Sequence, residues 1–522
     1  MNETRTNKSI RNIIVSIGSY FLIILLQVFN RTVFVKYLPV EYLGLNGLFS
    51  NILSMLSLSE LGIGTAMVYA LYKPIASDDK ETIKSIMNVY KKLYIFVGMS
   101  VLVLGFAITP FLKYLIKDAP GNIGNLHFYY LIYVLNSGVS YFYTYKRSLI
   151  ICDQKQYVSN IVTTVLKVIC TLCQMLVLVY SQDYVMYLVV MVICTFAENL
   201  VISHIVDKRY SYIREKNIKK LDSGIVKEIK KNIFAMVFHR VGDVVVNATD
   251  NLIITRFVSI SVTGFYSNYT LVINAIKNVI IQLFSSLTAS VGNLIAAGDK
   301  EHDKIVFDRI LFADFWIFSF AAICLKCLIN PFISVWLGEN FLLGEFTVDI
   351  ICLNFYLTGM QKTVRLFRDA AGVFWYDRYK PVAESIVNLV ASIPLAIKFG
   401  VAGTLMGTLI SNLTVAFWVE AYVLFRYHFE KSLLGYFRQQ LKFGAVTLIV
   451  SIIVYRICDG LTMIGVAGFI TKMFICAVLP NLIFLIIFYK NAEMKYYREL
   501  LKKMILSVLL KLKIKQNYEV EK

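Results

Sequence analysis

Arg240, Asp243, Asn247 and Asp250 recur at i, i+3, i+7 and i+10 within one long apolar run, residues 231–267. That spacing puts all four on one face of a helix. Ionisable groups at membrane depth are costly, and they normally face a bundle interior or a wet cavity and mark a pathway. A carboxylate held in such a cavity has its charged form disfavoured, so protonation becomes accessible near neutral pH, which is the chemistry of proton coupling. The same carboxylate can instead neutralise a neighbouring arginine, Asp243 for Arg240, and residue type alone does not separate the two roles.

Seven Lys/Arg fall inside apolar segments: Arg31, Lys167, Arg240, Arg256, Lys277, Lys326 and Lys472. Arg31, Arg256 and Lys326 lie near the outer ends of their segments, where a long side chain can snorkel to the headgroups. Lys167 and Lys277 lie nearer mid-membrane, and Arg240 is about 12 Å in from its cytoplasmic end. These three reach water only through a cavity or an ion pair, with Glu198 a candidate partner for Lys167. The expected cavity set is Arg240, Lys277, Lys167, Asn247 and Arg31, and the expected coupling or ion-pair set is Asp250, Asp243 and Glu60. Asp314 and Glu420 are further acidic residues within spans.

The elements that must position these groups follow from composition. With 522 residues, 57% hydrophobic and 17% charged, and a mean hydropathy of +0.64, the chain reads as an all-α polytopic membrane protein. On the criterion of about 20 apolar residues per span, fourteen segments are expected. They are 12–35, 43–72, 90–112, 127–151, 157–180, 184–206, 232–258, 262–292, 305–329, 345–361, 382–397, 403–425, 443–457 and 463–489. With the N-terminus inside, 41 of the 53 Lys/Arg fall in cytoplasmic segments, and the external connections hold only Lys36, Lys113, Lys117, Lys398 and Arg456. This bias sets the alternating topology and puts both termini in the cytoplasm. The net charge of +19 is therefore spread over short topology-setting clusters, which argues against a nucleic-acid partner. The first run is too long for a signal-peptide core and reads as a first transmembrane helix. The second is too long for a straight crossing and contains Gly62 and Gly64, so a tilt, a bend or an extension is expected there.

Shifting residues 231–267 back by 220 places them on 11–47, with Lys36 on Arg256 and Gly44 on Gly264. This weak register implies two related six-helix halves. The expected organisation is a six-helix bundle over 1–206, a cytoplasmic linker over 207–231, a second six-helix bundle over 232–427, two additional helices over 428–490 and a basic amphipathic tail over 491–522. Such a tail either lies on the anionic inner leaflet or packs on the protein's own cytoplasmic face.

Several chemistries have no signature here. The sequence contains no GxxxxGK[ST] phosphate loop and no HExxH motif. Nine cysteines include the pairs Cys170/Cys173 and Cys324/Cys327, both inside apolar helices without a polar ligand nearby in sequence, and they read as packing residues rather than a metal site. External loops are short, and the longest, about 113–126, holds no catalytic constellation. The chain reads as a non-enzyme.

The segments 37–77 and 248–276 carry E-Y-x-G from Glu41, L-G-I-G over 61–64 and D-N-L-I-I from Asp250. In these motifs the chain resembles bacterial polysaccharide (Wzx-type repeat-unit) flippases of the multidrug/oligosaccharidyl-lipid/polysaccharide exporter superfamily. The resemblance implies two pseudo-symmetric six-helix bundles around a central cavity, with two C-terminal helices added. It implies transport of undecaprenyl-pyrophosphate-linked oligosaccharide from the cytoplasmic to the outer leaflet of a bacterial cell membrane, for capsule, O-antigen or exopolysaccharide assembly. The implied partners are that glycan, membrane lipids and other polysaccharide-assembly proteins. No cofactor is implied, and coupling to protons or sodium stays open. A cation-coupled multidrug antiporter predicts a cavity of carboxylates and aromatics instead. A membrane glycan polymerase predicts a large external catalytic loop.

Overall fold

The structure, a computed structural model, describes residues 5–60, 63–116, 124–153, 155–215, 249–296, 298–461, 463 and 465–503, with scattered positions between 218 and 229. Arg240, Asp243 and Asn247 lie outside the described residues, as does the tail beyond residue 503. Among the described residues the chain is helical without strands, and eight helices are long and apolar enough to cross a membrane. The protein is an all-α, multi-pass membrane protein.

The chain divides into two compact units, the first made of residues 1–275 and 378–411, the second of 276–377 and 412–522. The first holds α1 (Arg5–Tyr37), α2 (Glu41–Leu56), α3 (Ile63–Ala76), α4 (Lys80–Ile108), α5 (Leu126–Cys152), α6 (Gln156–Tyr180) and α7 (Tyr184–Arg209). It also holds the start of α8 (Ile260–Ala296) and all of α12 (Lys380–Ser411). Side-chain caps fix several starts: Asp79 accepts from the Thr82 amide at 3.0 Å, Asn125 from Phe128 at 3.2 Å and Asp183 from Val185 at 2.7 Å. The long second span is broken as its length suggested. α2 gives way to a 3₁₀ turn at Ser57–Glu60 before α3 resumes.

α2 and α8 cross where their backbones touch. A Cβ on Gly44 would lie 2.2 Å from the Ile260 carbonyl oxygen, and one on Gly264 would lie 2.5 Å from the Val40 carbonyl oxygen. Ser261 Oγ also donates to Glu41 Oε1 at 2.8 Å. Each of these pairs, 40 with 260, 41 with 261 and 44 with 264, is related by the 220-residue shift. A contact in which i meets j′ while j meets i′ is that of a local two-fold axis, so the weak sequence register has a counterpart in space.

The residues expected as two spans over 382–397 and 403–425 are also hinged. Gly400, at φ 61° and ψ −133°, breaks α12 into two arms. A side chain on Gly403 would strike the Leu395 carbonyl at 1.8 Å, and one on Gly407 would meet Ser392 Oγ at 2.0 Å. The arms thus run back along each other through small residues four apart, the contact that lets membrane helices approach closely.

The second unit contains α9 (Lys300–Leu337), α10 (Glu345–Met360), α11 (Lys362–Ala370), α13 (Phe417–Leu424), α14 (Leu434–Asp459) and α15 (Gly465–Phe488). α13 is flanked by single π-helical turns at Asn412–Ala416 and Phe425–Phe429. A phenylalanine cluster joins α9, α14 and α15: Phe315 stacks on Phe443 at 4.2 Å and meets Phe484 at 5.4 Å and Phe488 at 5.1 Å. In lipid this packing gains dispersion and ring electrostatics rather than water release, about 0.5–1.5 kcal/mol per ring pair. The described start of the tail packs on the protein itself. The Tyr497 hydroxyl donates to the Arg309 carbonyl at 2.9 Å, and the Arg309 guanidinium stands 4.0 Å over the Tyr496 ring.

Candidate functional site

The first unit gathers three polar constellations. Arg31, on α1, donates to Ser267 Oγ at 2.8 Å and Asn268 Oδ1 at 3.2 Å, both on α8. The tyrosines Tyr133 of α5 and Tyr187 of α7 lie beside its guanidinium. Next to it, Asn30 Nδ2 donates to the Tyr187 hydroxyl at 2.9 Å. Tyr133 and Tyr184 both donate to Asn46 Oδ1, and the Tyr42 ring sits 4.3 Å from that of Tyr184. Among the described residues, every group bonded to Arg31 is neutral. Among the described residues, Asn30 Oδ1 and Asn268 Nδ2 are buried without a hydrogen-bond partner. A buried polar atom left in this way costs about 1–3 kcal/mol, so a water or a ligand group is favoured there. Arg31, expected both near the outer end of its span and in the cavity set, is thus hydrogen-bonded from α1 to α8.

Asp250 forms the second constellation. Its Oδ1 accepts from Thr408 Oγ1 at 3.3 Å, Thr408 Oγ1 accepts from Asn388 Nδ2 at 3.0 Å, and Thr249 Oγ1 donates to Asn388 Oδ1 at 3.5 Å. Asn388 is fully buried, and the Gly400 hinge is what brings Asn388 and Thr408 of the two α12 arms together. The charge of Asp250 acts on Tyr266, which adjoins the Ser267–Asn268 pair bonded to Arg31.

Glu60, in the break between α2 and α3, is the third. The Tyr94 hydroxyl donates to it, Tyr141 lies against it, and Tyr90 bridges Tyr94 and Ser148 at 3.5 and 3.0 Å. Gly64 leaves the room: a Cβ there would come 2.9 Å from the Tyr94 hydroxyl and 3.4 Å from Glu60 Oε1.

The remaining expected groups are placed differently. Glu198 pairs with Arg147 at 2.5 Å and accepts from Thr163 at 2.7 Å, so it does not serve Lys167, which is exposed on α6. Lys277 is half-buried on α8 in the second unit. Lys326 bridges Glu345 at 2.7 Å and Asp349 at 2.8 Å, two exposed carboxylates in the first turns of α10.

One cluster was hidden from sequence reasoning. Residues 362–380 read as a cytoplasmic connection whose basic residues set topology, yet α11 turns Arg365 and Arg368 onto the buried Glu420 of α13. Arg365 Nε reaches Glu420 Oε2 at 2.8 Å, and Arg368 reaches Asp377 at 2.5 Å and Glu420 at 3.4 Å. Gln361 bridges Arg365 at 2.8 Å and Asn412 at 2.7 Å. The i, i+3 spacing of Arg365 and Arg368 was the available signal, since it places both on one helix face.

None of the protein-family models matches the sequence, and no curated protein does. Solved structures do match the fold. The lipid II flippase MurJ in an inward closed conformation superposes with a TM-score of 0.64 at 14% identity, covering 91% of this chain and 99% of its own. An inward-facing multidrug resistance MATE family transporter of the MOP superfamily gives 0.60 at 14%, over 78% and 94%. A point mutant of the Vibrio cholerae MATE transporter VcmN gives 0.55 at 13%, over 82% and 98%. The chain has the fold of MOP-superfamily transporters and flippases, and these neighbours are not enzymes.

Proposed function

We propose that this chain is a flippase that moves undecaprenyl-pyrophosphate-linked oligosaccharide repeat units from the cytoplasmic to the outer leaflet of a bacterial cell membrane, with both termini cytoplasmic. A pyrophosphate cannot cross about 30 Å of hydrocarbon unaided, because a buried unpaired charge is prohibitively costly. It needs a cation that the protein has not already neutralised.

Arg31 is the observation that carries the reading. It is held at depth by Ser267 and Asn268 with neutral partners among the described residues. A guanidinium in that state is free to take a phosphate bidentately. The tyrosine hydroxyls and the unbonded amide atoms of Asn30 and Asn268 suit a hydroxyl-rich cargo, while the lipid tail stays in the bilayer. Arg240, Lys167 and Asn247 of the same unit are the further residues proposed to serve the cargo.

Coupling is assigned to Asp250. Its surroundings of threonine hydroxyls and an asparagine oxygen are a hard oxygen set of the kind that takes a proton or a sodium ion rather than a soft metal. The cycle is alternating access, loading inside and releasing outside. Capsule, O-antigen and exopolysaccharide assembly are the pathways that use such a step, and their assembly proteins are the partners it implies.

A second reading, a lipid-linked cell-wall precursor as cargo, is favoured over drug export by one observation. The lipid II flippase covers 91% of this chain, against 78% and 82% for the two multidrug-family structures. The test is leaflet accessibility of lipid-linked glycan in inverted vesicles with and without the protein. Trapping of the repeat unit on the cytoplasmic leaflet without it supports the reading; unchanged crossing refutes it, and trapping of the cell-wall precursor instead selects the second.

A further inference from the structure

Three cysteines that are far apart in sequence meet in the second unit. Cys327 of α9, Cys458 in the last turn of α14 and Cys476 of α15 place their sulfurs all within 4.8 Å of one another. All three are buried, at 4%, 2% and 0% exposure. The Cys458 and Cys476 sulfurs are 3.9 Å apart. Two sulfurs each bonded to one ion at about 2.3 Å are separated by roughly 3.8–4.0 Å for tetrahedral or trigonal angles. A disulfide requires about 2.05 Å, so the two sulfurs are not bonded; they stand at thiol hydrogen-bond distance, which a shared ion would fit without moving them. Spacing in the sequence could not show this, because the Cys324/Cys327 pair contributes only Cys327 to the cluster.

We propose that Cys327, Cys458 and Cys476 form a three-sulfur site for a soft d10 cation of the Zn(II) or Cu(I) class, which clamps the two C-terminal helices α14 and α15 onto α9. Thiolates select such ions over hard ones. As each sulfur–metal bond forms, the thiol proton passes to solvent; no electron is transferred and no oxidant is needed. Three thiolates around a divalent ion leave a net negative charge, and the Lys472 ammonium, one turn before Cys476 on α15, is near enough to act on Cys458. This gives a role to one lysine of the membrane spans that cargo binding does not use. Cys458 lies next to the end of α14 at Asp459, so an ion can enter from the polar connection instead of from the lipid.

The probe is Cd(II), added to the full-length protein purified in detergent under a phosphine reductant, with bound metal counted by mass spectrometry and thiolate ligation read as the ultraviolet charge-transfer band. The wild type is expected to bind one ion per chain and to melt at a higher temperature with it. Cys327→Ser, Cys458→Ser and Cys476→Ser should each lower affinity at least tenfold, and Cys458→Ala should do the same without burying a hydroxyl. Cys152→Ser, a buried cysteine of the first unit, should leave binding unchanged. Where a variant does not fold, protection of these three cysteines from alkylation by Cd(II) in the wild type supplies the same reading. Metal binding indifferent to these substitutions, an absence of binding, or a Cys458–Cys476 disulfide in protein taken directly from membranes would overturn the proposal.

Discussion

Arg31 in the first unit and Arg365 with Arg368 in the second carry the same guanidinium into opposite surroundings. The second-unit pair meets Glu420 and Asp377, at 2.8 and 2.5 Å, and both carboxylates are buried. Arg31 meets a hydroxyl and an amide, at 2.8 and 3.2 Å. A matched pair of charges is already neutral, and its role is to hold α11 against α13. Among the described residues Arg31 is met by dipoles alone, and a guanidinium so held keeps its charge for a ligand. Counting cations within spans therefore overstates the cargo site; what matters is which of them the protein leaves uncompensated.

The largest effect is expected from breaking the matched cluster. Glu420→Ala leaves Arg365 and Arg368 facing each other without their shared carboxylate, and removing one partner of a buried pair costs about 3–5 kcal/mol. Thermal unfolding in detergent should show a large loss, with transport falling only in proportion to folded protein. Restoring the shape without the charge, as Glu420→Gln, should recover only part of it. Gly44→Ala attacks the framework of the first unit instead. The new Cβ meets the Ile260 carbonyl at 2.2 Å, and the overpacking should cost about 1–3 kcal/mol in the same assay. Gly264→Ala should cost a similar amount if the contact is reciprocal.

Smaller effects on stability sharpen the contrast by separating folding from transport. Asp250→Asn keeps the hydrogen bond from Thr408 and removes the titratable charge. The melting temperature should change little, while any dependence of transport on a proton or sodium gradient should disappear. Asp299→Ala removes the cap of α9, where the carboxylate accepts from Glu301 and His302 at 3.1 and 3.0 Å. Only about 1 kcal/mol of stability should be lost, with transport by each folded molecule unchanged.

Much of the helical architecture was readable from hydrophobic length. The broken second span followed from its excess length, and the separation of 382–397 from 403–425 anticipated the hinge that Gly400 makes. The register of Gly44 with Gly264 was faint in sequence because the symmetric contact uses backbone, which constrains residue size and little else. The site was less legible. Arg31 lies near the end of a hydrophobic run, and depth alone predicts snorkelling, whereas its partners come from α8, more than 230 residues away. Arg365 and Arg368 were absorbed into a topology count, since a basic residue in a connection looks the same whether it faces water or a buried glutamate. That Glu198 pairs with Arg147 rather than Lys167, and that Lys326 meets Glu345 and Asp349, has the same cause: pairing is decided by helix packing, which one sequence does not display.

The most direct test is the rate at which lipid-linked pyrophosphate glycan becomes accessible to a membrane-impermeant reagent in proteoliposomes containing wild-type protein or Arg31→Gln. The charge-neutral variant keeps hydrogen-bonding capacity toward Ser267 and Asn268, so it should fold with a nearly unchanged melting temperature. Its translocation rate should fall by at least tenfold, equivalent to roughly 1.4 kcal/mol and within the range for one charge-assisted hydrogen bond. A well-folded Arg31→Gln protein that translocates as fast as the wild type would contradict the claim that the uncompensated arginine carries the cargo.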